Sequence, residues 1–370
     1  MFLTDRKLER RIAELKEYRY RDIINLNEFT VQEDTQGVVN PVLPEVFTGW
    51  DTLRVGDTWK GRDLFLWMHR VIQVPAEWKG KKIVGIFDFG NTGAGNNAGF
   101  ESMLYLNGKM YQGVDANHKE VFFDDTYCGT NMYVTFRLWS GLEGGGVPTP
   151  QEHRIARADL AWLDEEVDDF YYLASMVWET IKELDEFNPV QHDLRKALDT
   201  ACHCIDWAYP GSDTFYESVH EADHLLNESI DSMDKKSSVN IRCVGHTHID
   251  VAWLWRLKHT REKCSRSFTT VLRLMEQYPE YVFLQTQPQL YEYMKEEFPD
   301  IYKKIKERVA EGRWEADGAM WVEADCNLTS GESLTRQILL GSKFIKDEFG
   351  KDVESPGWSH KRLPPQASAQ

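Results

Sequence analysis

The stretch Val239-Asn240-Ile241-Arg242-Cys243-Val244-Gly245-His246-Thr247-His248-Ile249-Asp250-Val251-Ala252-Trp253-Leu254-Trp255 decides the fold class of this chain. Its first seven residues are a short apolar run closed by a glycine, the pattern of a buried strand. Two imidazoles and a carboxylate follow at once. On a strand, side chains at i and i+2 share one face, so His246, His248 and Asp250 converge if strand geometry persists past Gly245. Neutral imidazole and carboxylate on one face suit a borderline divalent cation such as zinc. Plain readings stand beside this one: the string arises by chance, a histidine caps a helix, an aspartate serves as N-cap. Trp253 and Trp255 divide in the same way, into faces for a sugar ring or a substrate cation, or ordinary core.

Downstream, strands and helices alternate. The pattern predicts a strand over 239–245, a helix over 260–277, a strand over 281–286, a helix over 288–311, a strand over 313–319 and a helix over 331–348. Pro288 and Gly312 punctuate the middle helix at its start and stop. Such repetition predicts a parallel sheet, open or closed into a barrel, whose ligands bind beyond the C-terminal strand ends. The histidine string lies at such an end. A second cluster ends the third strand, where Trp314-Glu315-Ala316-Asp317-Gly318-Ala319-Met320 runs into Trp321-Val322-Glu323-Ala324-Asp325-Cys326-Asn327. Of its four carboxylates, one can complete a metal site with His248 and Asp250, or attack carbon as a nucleophile. A solvated loop or helix cap is the plain reading, stronger for Glu315 than for Asp325.

Upstream, residues 5–20 carry Leu8, Ile12 and Leu15 at helical spacing, with Asp5 as the expected N-cap. From Thr48 to Ala158 short β-rich runs alternate with Gly, Asn and Asp clusters, and Asn107-Gly108 is a type I′ hairpin signal. The expected architecture there is an antiparallel β-sandwich. The glycine-rich stretch 93–99 lacks the Lys-Ser/Thr of a phosphate loop and reads as a connection. Residues 161–233 read as helical, broken at Pro210-Gly211-Ser212-Asp213. The predicted division is an N-terminal segment (1–47), a β-sandwich (48–158), a helical linker (159–238), the first part of a parallel (β/α) barrel-like domain (239–353) and an irregular tail (354–370). The fold class is thus α/β plus all-β.

The net charge of −17, from 60 acidic and 43 basic residues, disfavours nucleic acid and anionic membranes as partners, since both reward a basic surface. No run of about 18 apolar residues suggests a membrane span, and Met1-Phe2-Leu3-Thr4-Asp5-Arg6-Lys7 has no signal-peptide pattern. The cysteines at 128, 202, 204, 243, 264 and 326 match no zinc ribbon or compact disulfide framework. Cys202-His203-Cys204 reads as packed thiols more readily than as a metal site. Reduced cysteines fit a cytoplasmic protein.

Several motifs, taken in order, resemble glycoside hydrolase family 38, the α-mannosidases, in its cytosolic and bacterial branch. They are Gly245-His246-x-His248-Ile249-Asp250-x-Ala252-Trp253-Leu254-Trp255, Gln289-Leu290-Tyr291-Glu292, Phe298-Pro299-Asp300, Glu311-Gly312-Arg313-Trp314-Glu315, and Met320 to Leu328 with Ser330-Gly331-Glu332-Ser333. Leu106-Asn107-Gly108 and Gly113-Val114-Asp115-Ala116-Asn117-His118 are similar to the accessory sandwich of that branch. The resemblance implies that His248, Asp250 and Asp325 bind a divalent metal, usually zinc, and that Asp325 is also the catalytic nucleophile. It implies that Trp253 stands near the sugar and that His246 plays a supporting part. The implied substrates are α-mannoside oligosaccharides, hydrolysed with retention through a glycosyl-Asp325 intermediate, by a homo-oligomeric parent.

Family members are longer. They place the acid/base carboxylate and a last metal-ligating histidine beyond the Pro/Ser-rich tail that begins at Glu354. The expectation from the resemblance is a truncated N-terminal portion with part of the site and little activity alone. Two other readings compete: a non-catalytic carbohydrate-binding fragment, and a metal-dependent polysaccharide deacetylase. The Asp325 motif and the accessory sandwich weigh against the latter.

Overall fold

The computed structural model describes residues 4–90, 99–143, 145–234, 239 and 241–353. The predicted glycine-rich connection (except Gly99), the end of the helical linker and the tail lie outside them. A first helix, α1 (Thr4–Tyr18), leads into β1 (Tyr20–Asn25) and β2 (Glu28–Glu33). Then come β3 (Asp51–Arg54), β4 (Thr58–Gly61), β5 (Phe65–Gln73), β6 (Lys82–Asp88), β7 (Glu101–Leu106) and β8 (Lys109–Asp115). β9 (Glu120–Phe123), β10 (Asn131–Trp139), β11 (Gln151–Arg154) and β12 (Arg157–Leu163) complete the antiparallel region.

One sheet runs β1-β12-β6-β9 and a second runs β3-β2-β5-β10-β7-β8, with β11 paired to β4. Strand alternation turns Met132, Val134, Phe136 and Leu138 of β10 inward, against Phe87, Val121 and Leu160 of the other sheet. The sequence predicts an antiparallel sandwich over 48–158; the sheets also take in β1 and β2 from the expected N-terminal segment, and β12 carries on to Leu163. Asn107 and Gly108 have φ of 49° and 82° and close the β7–β8 hairpin, with Leu106 opposite Lys109. A type I′ turn requires positive φ at both central residues, which is why Asn-Gly marks it.

The histidines of this sandwich give it a pH dependence. His153 is fully buried, stacks on Trp59 at 4.3 Å, and its Nε2 donates to the Ser140 carbonyl at 2.9 Å. Burial holds the pKa of His153, and of His69, below the ordinary histidine value. Below about pH 6.5 the unfolded chain takes up protons that the folded state refuses, so stability falls as pH falls. The urea midpoint is expected to be lower at pH 5.5 than at 7.5, with a smaller difference in His153→Gln. An identical pH dependence in that variant would remove His153 from the explanation.

The helical region differs from its prediction in two places. Ala161–Leu163 close β12, and the helices begin only after Asp164, whose side chain accepts from Val167 N. The expected first helix is two: α2 (Glu165–Glu183) and α3 (Pro189–Cys204). Asn188 caps α3 by accepting from Val190 N, and Pro189 starts it, so the chain must break between them and α2. α4 (Asp213–Asp231) follows the predicted break and is capped by Ser212. Leu8, Ile12 and Leu15 of α1 join the core formed by α2, α3 and α4, and Asp5 sits in the first turn of α1 instead of at its cap. All six cysteines are free. Cys202 is buried in the bundle while His203 points outward, because adjacent helical residues diverge. The Cys-His-Cys string therefore gathers no metal site.

The remaining elements are β13 (Gly245–His246), α5 (Leu257–Gln277), β14 (Phe283–Gln285), α6 (Pro288–Glu297), α7 (Pro299–Ala310), β15 (Trp314–Ala316) and α8 (Gly331–Phe349). β13, β14 and β15 form a parallel sheet in that order. Among the described residues it has three strands and does not close. The helix predicted over 288–311 is split at Pro299, which has no N–H to continue a helix. The strand predicted over 239–245 is corrected most. Among the described residues the ladder to β14 pairs Gly245 with Phe283 and His246 with Leu284, and Ile241 and Val244 are exposed instead of buried. No helix among the described residues is long and apolar enough to cross a membrane.

Candidate metal and sugar site

The site is assembled from the middle strand outward. Gln285, Thr286 and Gln287, at the end of β14, are all buried. Gln285 Nε2 donates to the Thr247 carbonyl (3.1 Å), and its Oε1 accepts from the backbone of Thr286 and Gln287. Gln287 Nε2 donates to the Ile249 carbonyl (3.0 Å) while its Oε1 accepts from Glu323 N (3.2 Å). Thr286 Oγ1 donates to Glu323 Oε1 at 2.7 Å. Three consecutive side chains thus lace the loop after β13 to the loop after β15. Gly318 lets that second loop pass close. Its φ is 101°, and a Cβ there would meet the Thr286 carbonyl at 2.4 Å. Behind the lacing, Tyr291 donates to the Gln285 carbonyl (3.0 Å) and accepts from Trp314 Nε1 (2.9 Å).

These loops bring His246, His248 and Glu323 together, with one ligand atom of each within 4.8 Å of the others. His246 Nδ1 lies 2.9 Å from the Leu284 carbonyl. A carbonyl only accepts, so Nδ1 carries the proton and, in the neutral ring, Nε2 holds the lone pair. His248 stands between two carboxylates: Nδ1 is 3.0 Å from Glu323 Oε2 and Nε2 is 3.2 Å from Asp250 Oδ1. Glu323, and after it Asp250, raises the pKa of His248 above the ordinary value. Two imidazoles and a carboxylate are a donor set that a divalent cation of zinc type accepts.

Of the predicted residues, His248 is in this cluster and Asp250 touches it through His248. Asp325 lies two residues beyond Glu323, where its Oδ1 accepts from Asn327 N (2.9 Å) and its carbonyl closes the turn at Leu328 and Thr329. Among the described residues, the three-residue cluster takes in Glu323 rather than Asp325. Trp253 is half exposed and meets Trp255 edge to face at 5.5 Å. Trp255 Nε1 donates to Thr260 Oγ1 (3.0 Å), which donates to the Asp250 carbonyl (3.1 Å). The Lys263 ammonium lies 4.5 Å from the centre of the Trp255 ring. His246, His248 and both tryptophans line a cleft of 430 Å³ that Asn117 and His118 of the sandwich line as well.

The lacing residues were missed by sequence reasoning, because Gln-Thr-Gln before Pro288 carries no motif of its own. Glu323 was visible as one of four carboxylates, and its i−2 relation to Asp325 was the available signal.

Residues 238–360 match the N-terminal domain of glycosyl hydrolases family 38. The chain is 30% identical over 302 residues to alpha-mannosidase G of Dictyostelium discoideum, covering 77% of this chain and 26% of that protein. It is 28% identical over 312 residues to human alpha-mannosidase 2C1, covering 80% of this chain and 28% of that one. An alpha-mannosidase of Saccharomyces cerevisiae is 30% identical over 221 residues, 56% of this chain and 20% of the yeast protein. The chain spans about a quarter of the length of the first two relatives.

Proposed function

From the match of residues 238–360 to the N-terminal domain of glycosyl hydrolases family 38, we propose that this chain carries the sugar-binding and nucleophilic part of a metal-dependent, retaining α-mannosidase site. The observation that carries the reading is the cluster of His246, His248 and Glu323 at parallel strand ends, whose two histidines line one cleft with Trp253 and Trp255. His248, Asp250 and Asp325 would hold the cation, zinc by its donor chemistry, with His248 Nε2, which lies 3.2 Å from Asp250 Oδ1, as the imidazole donor. Glu323 faces Nδ1 and fixes the ring, as carboxylates behind metal-bound histidines do. When bound, the cation supplies a Lewis-acidic anchor for sugar hydroxyls. A second reading, favoured by the 4.8 Å cluster, puts the cation on the Nδ1 side with His246 and Glu323.

Asp325 is the nucleophile. Its carboxylate attacks the anomeric carbon of a terminal α-mannoside, the bond to the leaving oxygen breaks, and a second carboxyl group protonates that oxygen. The Asn327 N–H holds the Asp325 carboxylate in orientation. Trp253 offers its face to the sugar ring. Six free cysteines fit a reducing, cytoplasmic compartment.

A fluorinated mannosyl fluoride tests the nucleophile apart from the acid, because fluoride departs without protonation. The Asp325 oxygen bonds to carbon as the carbon–fluorine bond breaks. With zinc present, the expected result is one added fluoromannosyl mass on the peptide bearing Asp325, absent from Asp325→Asn. A label elsewhere would sink the assignment. Bound sugar without any label would favour the non-catalytic, carbohydrate-binding reading.

A further inference from the structure

The cleft has a wall that the catalytic motifs do not supply. Between β8 and β9 the chain turns at residues 115–119, on the sandwich, and Asn117 and His118 line the same cleft as Trp253 and Trp255. Asp115 locks this turn. Its Oδ1 accepts from Asn117 N (2.8 Å) and His118 N (2.9 Å), its backbone pairs with His118 in both directions (3.2 Å each), and its carboxylate lies 3.0 Å from His118 Nδ1. With Nδ1 taken up, His118 presents Nε2 outward, and both His118 and Asn117 are exposed. The Asn117 carboxamide makes no hydrogen bond to another described residue.

The wall is rigidly placed relative to the floor. Gly113 of β8 packs so closely on α5 that a Cβ would meet the Arg266 carbonyl and Thr270 Oγ1 at 2.9 Å. Glu101 of β7 pairs with Lys263 and Arg266 of the same helix. α5 begins two residues after Trp255, so one docked unit places both groups of cleft residues. The charged side chains along it balance in number, Glu101 and Asp115 against Lys263 and Arg266, with Glu101 paired to both cations and Asp115 bonded to His118. A cleft whose lysine and arginine are balanced by two carboxylates, and which is lined by two aromatic side chains, a carboxamide and an imidazole, suits a neutral polyol. Its 430 Å³ falls in the range of about 300–1,000 Å³ that holds drug-sized ligands, larger than one sugar ring needs.

We infer that the sandwich turn forms a second sugar subsite, in which Asn117 and His118 hydrogen-bond the unit linked to the terminal mannose. This inference rests on the α-mannoside reading of the site. Asn117 and His118 are specificity residues, and they take no part in bond breaking.

Calorimetry on the zinc-loaded chain tests it, with methyl α-mannoside and a set of α-linked mannobioses as ligands. The best mannobiose is expected to bind about tenfold more tightly than methyl α-mannoside. The double variant Asn117→Ala/His118→Ala is expected to erase that advantage and leave methyl α-mannoside affinity unchanged. Asn117→Ala alone leaves the Asp115–His118 lock intact, so a partial loss there shows that turn collapse is not the cause. A mannobiose that binds the double variant as tightly as the wild type overturns the subsite and leaves the mannoside reading standing. Failure of methyl α-mannoside to bind the zinc-loaded wild type overturns that reading, and the subsite with it.

Discussion

Replacing His248 with alanine is expected to reduce zinc affinity more than about a hundredfold. Removing a residue behind a metal ligand costs about 10–100-fold, and His248 is a ligand in both placements of the cation. Competition against a chromophoric chelator reads this directly, without turnover. Two further variants separate the placements. If the cation sits on the Nε2 side, Asp250→Ala approaches the His248→Ala loss, while Glu323→Gln and His246→Ala lose about 10–100-fold or less. If it sits on the Nδ1 side, His246→Ala and Glu323→Gln take the large losses. His248 is part-buried in a loop, and the unfolding free energy of His248→Ala in urea is expected within about 1 kcal/mol of the wild type. Unchanged zinc affinity in His248→Ala would rule out both placements.

How far the site was legible follows from what kind of signal each residue carries. His246, His248 and Asp250 announce themselves because metal ligands come from few residue types and the strand period puts them at i, i+2. Whether that period survives past Gly245 is decided by pairing, and pairing reaches only to His246. The chain beyond is held by Gln285 and Gln287, whose amides bond to carbonyls 38 residues away. Such bonds depend on register between strands and leave no local pattern. The sandwich was legible because alternation and Asn-Gly are local facts. The break before Pro189 is local too, but amphipathic spacing on either side of it masked the cap. The buried strand expected over 239–245 went wrong because apolarity describes what a segment can bury, and only a neighbour of matching length can bury it. β14 has three residues.

The electrostatics joining the sandwich to α5 were illegible for the same reason, and they predict the largest loss of stability. Arg137 of β10 is almost fully buried. Its Nε donates to Asp34 Oδ2 (2.9 Å), its Nη2 donates to the Val38 carbonyl (2.9 Å), and its Nη1 pairs with Glu262 of α5. The side chains of Arg137, Asp34 and Glu262 are 4%, 6% and 8% exposed, so salt cannot screen them as it screens surface pairs. The guanidinium also lies 4.1 Å from the centre of the Phe65 ring. Arg137→Ala would leave two carboxylates in a site closed to water, and the expected destabilisation is about 3–5 kcal/mol. Arg137→Lys keeps the charge but loses the planar fork that reaches Asp34, Val38 and Glu262 together, so it should recover only part of that loss. The companion variant Arg137→Met/Asp34→Leu/Glu262→Leu removes all three charges. It should be far more stable than Arg137→Ala, because the penalty comes from buried carboxylates that have lost Arg137, with Glu262 keeping only the longer 3.8 Å contact to Arg266. Urea unfolding followed by tryptophan fluorescence compares them. If the triple variant is as unstable as Arg137→Ala, the contact is holding the helix by shape and packing, and the charge argument fails. If Arg137→Ala costs under about 1 kcal/mol, water reaches the triad and the helix is less firmly docked on the sandwich than its burial implies.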